Sequence, residues 1–156
     1  MKKISLLLFS LFTLSLSAQN WPADLLIKPE KTSYRETSTY QEVMAFLNAA
    51  INGKTQAHLM SMGKSLEGKD IPVIVLSKDG IKTAEEAKAS GLPLMYIQGN
   101  IHSGEGEGKE SVMMAIRDIL HGDKGYLLEN QIILFVPIYN TDSNDKMKAG
   151  NRPSQE

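Results

Sequence analysis

The chain has 156 residues, 42% of them hydrophobic and 22% charged, with 17 Lys+Arg against 18 Asp+Glu and a formal net charge of -1. At about 150 residues per domain this is one domain or part of one, globular rather than disordered or multi-spanning, and it lacks the basic excess that drives nucleic-acid binding. The absence of cysteine excludes disulfide frameworks, thiolate metal sites and a Cys nucleophile, and only His58, His102 and His121 are available for a His-based metal site.

Residues 1–18 read as a signal peptide. Lys2 and Lys3 precede an apolar run from Ile4 to Leu16, and small residues follow at Ser17 and Ala18. As a helix that run would span about 20 Å, short of the bilayer core of about 30 Å. A cleaved secretory signal, cut after Ala18, therefore fits better than an anchor or a buried helix. The expectation is a secreted or periplasmic protein with no membrane attachment after cleavage. Loss of Lys2 and Lys3 takes the net charge from -1 to -3.

Residues 19–38 read as an irregular arm, with Pro22, Pro29 and several Ser/Thr. Thr39 and Glu42 form a capping box, and Val43, Phe46, Leu47, Ala50 and Ile51 follow at helical spacing up to Gly53. Residues 58–65 and 70–77 are expected as an antiparallel pair of strands around Glu67-Gly68-Lys69. A second capping box, Thr83 and Glu86, opens a short helix that stops at Gly91. Leu92 to Gln98 reads as a strand, 99–108 as a polar Gly-rich loop, and the following stretch to His121 as a helix with Val112, Ile116, Ile119 and Leu120 on one face. Gln131 to Tyr139 is a further strand.

The runs 71–76, 92–97 and 132–138 are nearly continuous in apolar residues rather than alternating. That pattern predicts strands buried on both faces. Strand, helix and strand over 92–139 form one βαβ unit, which implies parallel pairing. The class is α/β with a mixed sheet. The polar tail 140–156 offers no closing element, so the expectation is the N-terminal part of a longer domain, 39–156.

In open α/β sheets, sites form beyond the carboxyl ends of the strands, where the loop 99–108 lies. Gly104, Gly106 and Gly108 suggest a phosphate cradle, but Glu105 and Glu107 between them would repel a pyrophosphate, and Glu110 stands where a Walker motif needs Ser or Thr. The other reading is a metal site. His102 and Glu105 form H-x-x-E, and imidazole nitrogen and carboxylate oxygen are ordinary Zn²⁺ ligands. Gly104 would tolerate the dihedral of a tight turn between them. The bare motif is weak, and its place at the end of an apolar strand is what strengthens it. Without further context, His102 as a loop histidine bonded to backbone is an equal alternative.

Three segments resemble the zinc carboxypeptidases of the carboxypeptidase A/T type. GKSLEGKDIPVIVLS (63–77) is similar to an early hairpin of that family. LMYIQGNIHSGEGEGKES (94–111) is similar to its strand and H-x-x-E zinc loop, and VPIYNTDSND (136–145) with NRPSQE (151–156) to its next strand and Asn-x-Asp turn. The resemblance covers about 57–156. It implies a mixed, mostly parallel sheet with helices on both faces, present here incompletely. It also implies a Zn²⁺ cofactor, a peptide or protein substrate, and a metallocarboxypeptidase reaction in which zinc promotes water attack on a C-terminal peptide bond.

By the same resemblance His102 and Glu105 are the first two zinc ligands, and Arg152 lies where the family has a substrate-side Arg. Gly104 replaces an Arg of the digestive members, and Thr141 replaces a Pro. Asn140 and Asp142 match the turn, and local side-chain-to-backbone bonds explain them more simply. The third ligand, the general base and the carboxylate clamp are expected beyond residue 156, so the chain alone is expected to be inactive. His58, read as a surface residue, and His121, at a helix end, are poor substitutes. Glu107 and Glu110 read as a solvated helix start, and Trp21 as packing on the domain. A related zinc amidase or deacylase, or a non-catalytic remnant or binding module of the same fold, are the alternatives.

Overall fold

A computed structural model describes residues 20–146, so the signal-peptide segment 1–18 lies outside the described residues. Helix α2 (Tyr40–Ile51) begins where its capping box predicts. The Thr39 hydroxyl accepts the Glu42 N–H at 3.3 Å, and the Glu42 carboxylate accepts the Thr39 N–H at 2.9 Å. Its buried face is Val43, Phe46, Leu47 and Ala50. Helix α3 (Ala84–Ser90) starts with the same device at Thr83 and Glu86, and ends at Gly91, whose φ of +67° suits glycine. Helix α4 (Gly106–His121) buries Val112, Ile116, Ile119 and Leu120, and begins nearer the strand than the expected loop 99–108 allowed.

Strands β1 (Ala57–Lys64), β2 (Asp70–Leu76), β3 (Leu94–Gln98) and β4 (Ile132–Val136) form one sheet in the order β1-β2-β4-β3. The mixed sheet is present, and β3 and β4 are parallel as the βαβ unit requires. Two of the three pairings among the described residues, β1–β2 and β2–β4, are antiparallel. The cause is the β1–β2 hairpin, which reverses the chain before the βαβ unit begins. Ile74, Leu76, Ile133 and Phe135 face α2 and α4, while Val73, Val75, Ile132 and Val136 point to the other face, where Ala87 of α3 packs. Helices therefore cover both faces.

β2 and β4 are buried, as their unbroken apolar runs predict. β3 is not. Leu94, Met95 and Tyr96 are 52%, 45% and 46% exposed. An apolar run predicts double burial only for a strand with neighbours on both sides. β3 is the edge strand of the described sheet, paired with β4 alone.

The arm is more ordered than its Pro and Ser/Thr content suggests. It contains a 3₁₀ turn (Ala23–Leu25) and a short helix α1 (Lys28–Lys31), and it buries Leu25 and Ile27. Arg117 of α4 clamps it. Its guanidinium donates to the Leu25 carbonyl at 3.0 Å and to both oxygens of Glu30 at 2.7 and 3.0 Å, under the Trp21 ring at 4.7 Å. Two-point pairing with a carboxylate favours Arg for this role.

Candidate metal centre

Two glycines shape the loop that carries His102 and Glu105. A Cβ on Gly99, at the end of β3, would lie 2.7 Å from the Gly108 carbonyl carbon and 2.8 Å from the Lys109 nitrogen. Strand end and first helical turn thus cross backbone against backbone. The loop leaves through this neck and returns through it. Beyond the neck the chain continues beside β4: Gly99 N–H donates to Val136 O, Tyr139 N–H to Gly99 O and Asn140 N–H to Asn100 O.

Gly99→Ala is expected to lower stability by about 1–3 kcal/mol, the usual cost of overpacking against atoms that cannot move aside. Gly108→Ala is a contrasting case. Its Cβ would meet Gly99 Cα at 3.4 Å, an ordinary contact, and it replaces a helical glycine, worth up to about 1 kcal/mol in favour of Ala. Urea unfolding of the two variants checks this, and equal destabilisation would show that the neck is not tight.

Within the loop, the Glu105 N–H donates to the His102 carbonyl at 3.3 Å, and Gly104 takes a φ of +88° between them. This tight turn brings the two side chains together. His102 Nδ1 stands 3.1 Å from Glu105 Oε1, and both side chains are about one-third exposed, at 37% and 35%. Two donor atoms each about 2.1 Å from one tetrahedral ion stand about 3.4 Å apart. One ring nitrogen and one carboxylate oxygen at this separation, partly open to solvent, suit a shared zinc ion. Among the described residues no group of three or more His, Asp or Glu could hold a metal, so this pair would be two ligands of a set.

The other histidines are placed elsewhere. His58 sits within β1, opposite Val75, at the far edge of the sheet from β3. His121 Nε2 lies 2.7 Å from the Ala50 carbonyl and ties the end of α4 to α2. Arg152 lies outside the described residues. Asn140 makes the expected local bond, accepting the Ser143 N–H at 3.2 Å. Asp142 instead reaches the hairpin turn: it accepts the Ser65 hydroxyl at 2.6 Å and the Glu67 N–H at 3.1 Å. The Ser65 bond, with the Glu67 N–H and the nearby lysines, holds its carboxyl below the ordinary range.

One residue beside the loop departs from the sequence reading. Glu110 is not part of a solvated helix start. It is 8% exposed and accepts the Thr37 hydroxyl at 2.7 Å, the Ser38 N–H at 2.6 Å and the Ser38 hydroxyl at 2.9 Å. The arm folds over it. Lys109, 1% exposed, is buried with it. Burial pushes its ammonium below the usual lysine value, while the charges of Glu110, Asp145 and Glu42 pull it back. A cleft of about 880 Å³ opens between arm and loop, with Tyr34, Arg35, Ser103 and Glu107 on its walls.

Residues 43–155 match the family model of the zinc carboxypeptidases. No curated protein matches. Among solved structures, the chain is similar to carboxypeptidase A from Helicoverpa armigera, with 21% identity and a TM-score of 0.59 over 70% of this chain and 26% of that one. It is also similar to bovine thrombin-activatable fibrinolysis inhibitor, solved in complex with a tick carboxypeptidase inhibitor (16%, TM-score 0.61, 77% and 36%). A third is the metallo-carboxypeptidase from Burkholderia cenocepacia (19%, TM-score 0.60, 72% and 29%). The chain spans between about a quarter and about a third of the length of these structures.

Proposed function

The chain belongs to the zinc carboxypeptidase family, and on that premise we propose that it is part of an exported, zinc-dependent metallocarboxypeptidase that hydrolyses C-terminal peptide bonds. The observation that carries the reading is the convergence of His102 Nδ1 and Glu105 Oε1, 3.1 Å apart on a turn at the end of β3. A bound zinc ion would lower the pKa of a water molecule and polarise the scissile carbonyl.

His102 and Glu105 would hold the ion at the sheet's open end. The turn through Gly104 keeps them on one side of the loop. The neck at Gly99 and Gly108 fixes where the loop leaves the sheet. A third ligand, a general base and a clamp for the substrate carboxylate complete such a site and would come from polypeptide outside the described residues. Arg152 is the proposed substrate-side contact. Export rests on the Lys2-Lys3 and Ile4–Leu16 pattern of the first eighteen residues, and places the protein outside the cell or in a periplasm.

Full-length protein is expected to release the C-terminal amino acid from N-blocked dipeptides, to lose that activity on dialysis against a chelator, and to regain it with zinc. Activity confined to non-peptide amides would move the reading to a zinc amidase. No zinc-dependent hydrolysis of either class would leave a binding module.

A further inference from the structure

One oxygen atom joins both ends of the H-x-x-E loop. Asn144 Oδ1 accepts the Asn100 side-chain amide at 2.9 Å and the Lys109 ammonium at 2.7 Å. Asn100 lies two residues before His102, and Lys109 four residues after Glu105. Asn100, Asn144 and Lys109 are only 4%, 4% and 1% exposed. The orientation of the Asn144 amide follows from chemistry. An ammonium has only donors, so it must meet the oxygen. The Asn144 Nδ2 group then donates to the Ser38 carbonyl at 3.2 Å and to Asp145 Oδ1 at 2.6 Å. Lys109 also donates to the Ser38 carbonyl.

The cost of this arrangement is large enough to need a reason. A buried ammonium is costly unless well bonded, and Asn100 is a non-glycine residue held at a φ of +52°. The sheet and the two long helices have apolar cores that do not call for either. What the cluster does is close the loop over the glycine neck and join it to the arm at Ser38.

We propose that Asn144 is a positioning residue for the metal pair: with Lys109 and Asn100 it clasps both flanks of the loop and sets the separation of His102 and Glu105. The proposal rests on the metal reading of that pair. Groups that orient metal ligands without touching the metal typically change affinity 10–100-fold when removed, and the clasp belongs to that class.

The test uses full-length holoprotein and two readouts: zinc affinity by competition with a chromophoric chelator, and the visible absorption of the Co²⁺-substituted form, which reports ligand geometry. Asn100→Gly keeps the left-handed backbone without strain and removes only the side-chain donor. Asn144→Leu removes the shared acceptor. Asn100→Gly and Asn144→Leu are expected to weaken zinc binding about 10–100-fold and to shift the Co²⁺ spectrum.

If Asn144→Leu does not fold, because it strands the Lys109 charge, Asn100→Gly decides alone. Unchanged affinity and spectrum in Asn100→Gly overturn the clasp. His102→Ala, measured alongside, separates the two readings. If it loses zinc while Asn100→Gly does not change, the clasp alone fails. If it keeps zinc, the metal reading fails and the clasp with it.

Discussion

His102→Ala is expected to empty the site of zinc in the full-length protein and to reduce peptidase activity by about a thousandfold or more, since parts that act as a unit lose most of their effect when one is removed. The fold should survive. His102 is partly exposed on a loop, its ring pairs with Glu105 three residues on, and it belongs to neither apolar cluster. Substitutions at such positions usually change stability by no more than about 0.5 kcal/mol. A catalytic zinc typically has three protein ligands and a water, so removing one leaves an ion that exchanges readily. Zinc content by atomic absorption and circular dichroism on the same sample check both halves. Unchanged zinc stoichiometry would assign the metal to other residues. Glu105→Gln should act in the same direction but less strongly, because the amide keeps an oxygen while losing the charge.

Local signals were legible in the sequence and distant ones were not. Thr39 with Glu42 and Thr83 with Glu86 announce helix starts because the bonds they make span three residues. The apolar runs of β2 and β4 announce burial because both strands have neighbours on each side. The same kind of run in β3 misleads, since burial depends on what lies beyond the edge, which no local pattern encodes. Glu110 misleads for a related reason. An acidic residue early in a helix suits the helix dipole in water, yet Thr37 and Ser38, more than seventy residues earlier, come to cover it. A pair of polar arm residues, Thr37-Ser38, and the Lys109-Glu110 pair after the glycines are the traces of that contact in the sequence, too short to read alone. The glycines of the loop resembled a phosphate cradle only by their place between a strand and a helix. In the structure Gly99 and Gly108 serve close backbone approach, and Gly104 serves a positive φ. His102 and Glu105 were legible as candidates because the motif puts them three apart on a turn, whereas Asn144, which bonds Asn100 and Lys109 at the flanks of that loop, left no local signal.

Residues 19–156 alone are expected to show no zinc-dependent turnover. The described residues bring together two ligand side chains, not three, so the ion would bind weakly and its water would have no positioned base. The substrate carboxylate would have no clamp among the described residues. Half of a catalytic unit gives far less than half the rate. The sheet adds a second expectation. Among the described residues no second strand pairs with β3, which presents that edge and the exposed side chains of Leu94, Met95 and Tyr96, and such an edge pairs readily with another chain. The isolated piece should therefore self-associate, with an apparent mass in size-exclusion chromatography that rises with concentration. A charge placed on the edge, as in Met95→Lys, should suppress that association without restoring activity, because edge pairing and ligand count are separate properties. The decisive measurement is release of the C-terminal amino acid from blocked dipeptides by residues 19–156 with zinc added. Clear turnover would mean that the third ligand and the base lie within these residues, and the two-ligand account of the site would fall.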